Sequence, residues 1–190
     1  MWNLPEGCKV ISRSQCRLYG FKRNFCVYSR NYRGTVESPG LCLGLTKVDD
    51  NNNNNNNEEE EAEEDDLLKS GYCDGVLLKL PDYSSLQLID AQEMVTGGNP
   101  IPVYNRYLST VVHPNNDISK SLCFVANPEA STPKDQTLEE TANIIAKRSG
   151  ARGENQEYLD NTYKMLMEME LVDKDLEWLV SRVRAIKDKV

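Results

Sequence analysis

Residues 16–40 read CRLYGFKRNFCVYSRNYRGTVESPG, and this stretch decides how the N-terminal half of the chain folds. Aromatic and β-branched side chains interrupted by short polar breaks are typical of β-strands, so we predict strand structure over 8–13 and 16–30. The tripeptides Arg33-Gly34-Thr35 and Ser38-Pro39-Gly40 consist largely of turn-forming residues. They predict that the strands end there and that the chain reverses before the next strand.

The segment that follows the next predicted strand, 41–48, has a very different composition. Residues 49–66 read DDNNNNNNNEEEEAEEDD, with ten carboxylates and no basic side chain. The formal net charge of the 190-residue chain is -8, and without this segment it is about +2. The segment cannot bury enough apolar surface to offset its ordering entropy. We therefore predict a disordered insertion, placed in an enlarged hairpin loop between strands 41–48 and 75–80, in a single domain spanning residues 1–190.

The rest of the chain contains both predicted strands and predicted helices, and its C-terminal third is predicted to be helical. Capping-box patterns at Ser84-x-x-Gln87 and Thr137-x-x-Glu140 each predict the start of a helix. Helices are predicted at 85–94, 138–146, 158–169 and 176–186, and strands at 75–80, 103–112 and 122–126. The predicted order is strands first, then one helix between strands, and then helices. This order predicts an α+β fold, with a sheet or barrel flanked by helices.

Several functional classes are disfavoured. No stretch has the eighteen or so apolar residues of a membrane helix, and the N-terminus does not look like a signal peptide. The six cysteines form no C-x-x-C pair, and His113 is the single histidine, placed in a predicted exposed turn. We expect reduced thiols in the cytoplasm, with disulfides as the alternative. A P-loop, a dinucleotide fingerprint and a nucleophile elbow are all missing, and the basic residues are too sparse for nucleic-acid binding.

One carboxylate stands out on the helix predicted over 85–94. At 100° per residue, Glu93 falls on the same face as Leu86 and Ile89, which is the face expected to be buried. A desolvated carboxylate favours its protonated form and can take up and return a proton near neutral pH. The backbone of Gly97-Gly98, just beyond it, could approach a ligand closely. The alternative is that Glu93 reaches solvent or pairs with an arginine.

Three groups of residues resemble the ChaC-type gamma-glutamyl cyclotransferases. The first is 21–35 with 38–41, which is similar to that family's aromatic strand and its Arg-Gly-Thr turn. The second is 90–94 with 97–98, similar to the family's Arg-Glu helix end. The third comprises Gly150, Gly153, Asn155, Glu157, Tyr158, Leu159 and Asp173.

This resemblance implies a reaction and a site. Such enzymes convert a gamma-glutamyl peptide, commonly glutathione, to 5-oxoproline and the released amine, here Cys-Gly. The α-amine of the substrate itself attacks the γ-carbonyl, so no metal and no cofactor are required. The implied general acid/base is Glu93, and the implied partner is a small molecule, not a nucleic acid or a membrane. The implied substrate-binding residues are Met1, Arg33, Gly34, Gly97, Gly98 and Tyr158. The implied fold is a small, mostly antiparallel β-barrel with flanking helices.

Two departures from the family pattern affect these expectations. In the family a Tyr-Gly-Ser-Leu loop, whose amides hold the substrate, precedes a Met-Trp pair, and here the chain begins at Met1-Trp2. We therefore expect the first strand of the family fold to be missing. In addition, Gln92 stands where arginine is usual. Two alternatives follow: a catalytically impaired homologue that binds gamma-glutamyl ligands or a protein partner, and an unrelated module that binds basic partners through the acidic segment.

Overall fold

The structure is a computed structural model, and it describes residues 4–48, 71–94 and 101–189. Part of the prediction lies outside these ranges. This applies to the insertion at 49–66 and to three of the predicted site residues, Met1, Gly97 and Gly98.

The described residues form eight strands and four helices, close to the predicted order. The strands are β1 (Ser12–Tyr19), β2 (Phe21–Ser29), β3 (Gly40–Lys47), β4 (Tyr72–Lys79), β5 (Tyr104–Val112), β6 (Ile118–Ala126), β7 (Ser149–Gly150) and β8 (Gly153–Glu154). The helices are α1 (Tyr83–Met94), α2 (Leu138–Lys147), α3 (Asn155–Glu168) and α4 (Lys174–Lys187). Residues 8–11, predicted as strand, precede β1. None of the described helices has the length and apolar character needed to cross a membrane.

All the strand pairs are antiparallel, as expected for this α+β fold. One sheet has four strands in the order β4-β1-β5-β6, and β2 pairs with β3 in a separate hairpin. The hairpin contains a β-bulge, because Phe25 lies opposite Leu43 whereas Val27 lies opposite Cys42, which leaves Cys26 as the extra residue. The mixed α+β architecture is therefore confirmed, with the hairpin and the four-stranded sheet as distinct units among the described residues.

The predicted hairpin between β3 and β4 is wrong. β3 pairs with β2 and β4 pairs with β1, so the connection between them passes from one sheet to the other. Both ends of that connection meet at Gly20: its carbonyl accepts from the amide of Val48 at 2.9 Å, and its amide donates to the carbonyl of Gly71 at 2.8 Å. Gly20 joins β1 to β2 with a φ of +76°, a conformation that favours glycine.

The main core lies between the β2–β3 hairpin and the three C-terminal helices. Each helix presents an apolar stripe to it, as the helical spacing predicts. The side chains that are fully buried here include Leu41, Ile145, Leu159, Leu166 and Val183. A second core fills the space between β2 and the four-stranded sheet, and it consists of Leu18, Phe21, Val111 and Val125.

The two predicted capping boxes have different outcomes. The box at Thr137 is confirmed: its hydroxyl accepts from the amide of Glu140, whose carboxylate accepts from the amide of Thr137. The box at Ser84 is wrong, because α1 begins at Tyr83, two residues before the predicted start, and Asp82 accepts from the amide of Ser85 at 2.8 Å. Aspartate is as good an N-cap as serine, and the cap lies two residues earlier than predicted.

Candidate active site

Glu93 lies in the last turn of α1, on its inward-facing side. Ile89, one turn earlier, is only 4% exposed, and Leu86 and Glu93 are half-buried, which confirms the predicted face. One carboxylate oxygen of Glu93, Oε1, accepts a hydrogen bond from the side-chain amide of Gln92 at 3.1 Å. The helix thus presents a partly shielded carboxylate to the sheets instead of a fully solvated one.

Two tyrosines from different elements hold the backbone of β3 at Leu43. The hydroxyl of Tyr104, at the start of β5, donates to the carbonyl of Leu43 at 2.6 Å. The hydroxyl of Tyr158, in the first turns of α3, accepts from the amide of Leu43 at 3.4 Å. Both polar groups of one residue are therefore satisfied by side chains from two other elements, which fixes this part of β3 in place.

The negative charge of Glu93 acts on both of these tyrosines. Burial raises the pKa of Tyr104 well above its usual value, and the negative charge of Glu93 acts in the same direction. Burial likewise raises the pKa of Tyr158, again with a contribution from Glu93. Both hydroxyls therefore stay protonated at neutral pH; that of Tyr104 donates to Leu43, and that of Tyr158 keeps its hydrogen for a further acceptor.

Cys42, next to Leu43 on β3, lies within electrostatic reach of two predicted site residues. Burial raises the pKa of its thiol, a hydrogen bond with Ser29 and the charge of Arg33 lower it, and the charge of Glu93 raises it. A positive and a negative side chain thus act on one position of β3.

Arg33 is engaged by the protein itself. Its Nη1 donates to the carbonyls of Arg152 and Glu154 at 2.6 and 3.0 Å and pairs with the carboxylate of Glu157 at 3.3 Å. The guanidinium carbon lies 5.6 Å from the centre of the Tyr158 ring, in a cation–π arrangement. Arg33 therefore connects the predicted turn to the start of α3, where Tyr158 is located.

Gly34 occupies a place that no side chain could fill. A Cβ on Gly34 would collide with the backbone of Pro39 and Gly40, and a Cβ on Gly150 would lie 2.6 Å from the amide nitrogen of Gly34. Gly34, Gly40 and Gly150 therefore let their three backbone segments approach closely beside Arg33. The predicted chain break at Gly150–Gly153 is the β7–β8 turn, whose residues Ala151 and Arg152 donate to the carbonyls of Asn31 and Tyr32.

The structure thus brings Arg33, Gly34, Tyr158 and Glu93 to one region. Two further members, Tyr104 and Cys42, are absent from the sequence-based predictions. A tyrosine at the start of a strand is an ordinary strand residue, and nothing local indicates that its partner is Leu43, 61 residues earlier.

Other features lie away from this region. A cleft of about 1170 Å³ between β2, β6, α2 and α4 contains none of the predicted site residues. His113 is half-buried, contrary to the predicted exposed turn, because its Nε2 hydrogen-bonds the hydroxyl of Ser119 at 2.8 Å across the β5–β6 hairpin. All six cysteines are unpaired, which confirms the prediction of free thiols. Within the described ranges, no three His, Cys, Asp or Glu side chains are grouped to hold a metal ion.

Comparison with known proteins adds a sequence relative and a fold. A glutathione-specific gamma-glutamylcyclotransferase from Schizosaccharomyces pombe is 28% identical over 170 residues, which cover 85% of this chain and 76% of that protein. A crystal structure of a gamma-glutamyl cyclotransferase specific to glutathione from yeast superposes with a TM-score of 0.69 at 18% identity, covering 93% of this chain and 89% of the other. A second yeast crystal structure gives 0.68 at 17% identity, with 94% and 92% covered.

The two structural matches show the shared fold, whereas the family follows from sequence. The sequence model of the family described as ChaC-like protein matches residues 1–186. Because this match spans nearly the whole chain, the chain belongs to the ChaC-like protein family.

Proposed function

We propose that this chain is a gamma-glutamylcyclotransferase that converts glutathione, or another gamma-glutamyl peptide, to 5-oxoproline and Cys-Gly or the corresponding amine. Membership of the ChaC-like family and the relative from Schizosaccharomyces pombe support this activity. The observation that carries the proposal is the position of Glu93, a half-buried carboxylate whose charge acts on Tyr104 and Tyr158.

The proposed reaction needs one proton-transferring group. The α-ammonium of the substrate loses a proton to Glu93, and the free amine attacks the γ-carbonyl to close a five-membered ring. The old amide C–N bond then breaks as the leaving nitrogen takes this proton from Glu93. The ring nitrogen gives up its second proton, again through Glu93, to the released amine, which leaves as an ammonium. The substrate supplies both nucleophile and electrophile, so the protein contributes orientation and proton transfer.

The other residues hold the walls of the site. Tyr104 and Tyr158 fix the Leu43 segment of β3, and Gly34 allows close backbone packing beside it. Because the Nη1 of Arg33 is already engaged, Arg33 contributes its positive charge and the position of its turn.

Substrate binding is proposed for the same residues as in the sequence analysis. These are Met1, Arg33, Gly34, Gly97, Gly98 and Tyr158. The proposed partner is a small-molecule substrate. The six unpaired cysteines fit a reducing compartment, and we propose that the enzyme acts in the cytoplasm.

The test is a direct assay of 5-oxoproline released from glutathione. Glu93→Gln removes the proton-transferring group but keeps its shape, and we expect turnover to fall by about 10²–10⁴. Glu177→Gln, which changes an exposed carboxylate in the first turn of α4, is the matched control and should leave turnover unchanged. Equal rates for Glu93→Gln and wild type would overturn the role of Glu93. A wild-type chain that releases no 5-oxoproline from any gamma-glutamyl peptide would overturn the proposed activity.

A further inference from the structure

A second carboxylate lies one turn before Glu93 on the same side of α1. The carboxylate of Asp90 pairs through Oδ2 with Nη1 of Arg106, on β5, at 3.3 Å. The side chain of Asp90 is 19% exposed, so the pair lies at the edge of the packed region and not in open solvent. This ion pair joins the helix that carries Glu93 to the four-stranded sheet.

The second oxygen of Asp90 is unusual. Oδ1 is buried and accepts no hydrogen bond within the part of the chain that the structure describes. Burying a carboxylate oxygen without a donor is unfavourable, and such groups in folded proteins call for an explanation. An apolar residue would avoid this cost if Asp90 only packed the helix against the sheet. A charged residue at this position therefore indicates a role that depends on its contact with Arg106.

The positions of these residues on α1 and β5 show which parts of the site the ion pair connects. Asp90 and Glu93 are three residues apart on a helix, so they lie on one face. Arg106 and Tyr104 are two residues apart on a strand, so their side chains point to the same face of the sheet. The pair thus connects the turn bearing Glu93 to the strand bearing Tyr104, whose hydroxyl feels the charge of Glu93.

We propose that Asp90 and Arg106 are positioning residues that hold Glu93 at the correct distance from the reacting amine. This inference rests on the proposed function. A general base works only within hydrogen-bond reach of its proton, and a shift of about 1 Å can cost about 10²-fold in rate. The pair acts on the position of Glu93 and leaves the binding walls formed by Tyr158 and Gly34 unchanged. Its loss should therefore lower kcat and leave KM nearly unchanged.

The experiment compares variants of the pair in the full chain, with glutathione as the substrate. Asp90→Asn and Arg106→Gln each remove one charge, and we expect kcat to fall by about 10–100-fold with KM within about threefold of wild type. Arg106→Lys keeps the positive charge and can make a single contact with Asp90, so it should retain most of the wild-type kcat. Asp74→Asn is the matched control, because it breaks the Arg17–Asp74 pair, whose arginine is as exposed as Arg106 at 40%.

Thermal unfolding separates positioning from a purely structural role. For a positioning pair, kcat falls in Asp90→Asn but not in Asp74→Asn, even if both variants lose similar stability. Wild-type kcat in Asp90→Asn and Arg106→Gln, with Glu93→Gln inactive, would overturn the positioning role and leave the proposed function standing. A fall in kcat that only matches the loss of folded protein, without rescue by Arg106→Lys, would also overturn it. If the wild-type chain itself makes no 5-oxoproline, the proposed function fails, and the role of the pair fails with it.

Discussion

The side chain of Asn155 makes both of its hydrogen bonds to the backbone of one residue, Leu41. Its Nδ2 donates to the carbonyl of Leu41 at 2.7 Å, and its Oδ1 accepts from the amide of Leu41 at 2.6 Å. Asn155 is fully buried, and it lies one helical turn before Tyr158, which binds the amide of Leu43. The first turn of α3 is therefore fastened to the edge of β3 at two alternate residues, which sets where the walls of the site stand.

This relationship predicts a large stability loss for Asn155→Ala. The substitution leaves a buried N–H and a buried C=O of Leu41 without partners, and each such group costs about 1–3 kcal/mol. We expect the free energy of unfolding to fall by about 2–4 kcal/mol in urea denaturation. Asn161→Ala, at an exposed position of the same helix, is the control and should change it by less than about 0.5 kcal/mol. Similar effects of the two substitutions would show that the contact with Leu41 contributes little.

Removing the hydroxyl of Tyr104 should affect both stability and turnover. Tyr104→Phe leaves the carbonyl of Leu43 without its 2.6 Å donor in a buried setting, so we expect a loss of about 1 kcal/mol. Because the charge of Glu93 also reaches Tyr104, we expect kcat to fall by about tenfold. Tyr107→Phe is a matched control on the same strand, since that hydroxyl contacts the exposed Lys47. An unchanged kcat in Tyr104→Phe would show that this hydroxyl does not contribute to the reaction.

Alkaline pH should destabilise the protein through its buried thiols. Burial raises the pKa of Cys26 from 9.0 to about 12, and it raises the pKa of Cys42 and Cys73 as well. A raised pKa means that the folded state favours the protonated thiol. The stabilisation is thus complete below about pH 9 and disappears as the pH rises towards about 12. Urea midpoints measured with a reductant at about pH 8, 9 and 10 should fall, and less steeply in Cys26→Ala. A midpoint that is independent of pH would contradict the burial of these thiols.

The parts of the fold that could be predicted depend on local patterns. The capping box at Thr137 and the inward face of α1 follow from residues three or four apart, and both are confirmed. The cap at Asp82 does not follow from the sequence, because serine and aspartate cap a helix equally well and only the observed start of the helix distinguishes them. For the site, helical periodicity places Glu93 on the inward face of α1, whereas its proposed role as general acid/base comes from the family resemblance.

The parts that could not be predicted depend on contacts between distant residues. Consecutive strands commonly form a hairpin, but β3 pairs with β2 and β4 pairs with β1. The hydrogen bonds of Val48 and Gly71 with Gly20 accompany this pairing, and no local pattern indicates them. Likewise, the contact of Tyr104 with Leu43 joins strands that are far apart in sequence. The pairing of Asp90 with Arg106 has the same origin, since helical periodicity orients Asp90 but does not identify its partner on β5.

The contacts at Gly20 also predict that the acidic segment can be removed. Val48 and Gly71 bind the two backbone groups of Gly20, and a Cβ on Gly71 would lie 3.1 Å from the side chain of Val48. The ends of the connection are therefore already adjacent, and shortening it requires no movement of β3 or β4. We expect deletion of residues 51–66 to change Tm by no more than a few degrees and to leave kcat for glutathione unchanged. Gly20→Val, which places a β-branched side chain at a φ of +76°, should in contrast lower Tm clearly. If the deletion lowers Tm as much as Gly20→Val does, the segment takes part in the fold; if it leaves Tm unchanged but lowers kcat, the segment contributes to the reaction.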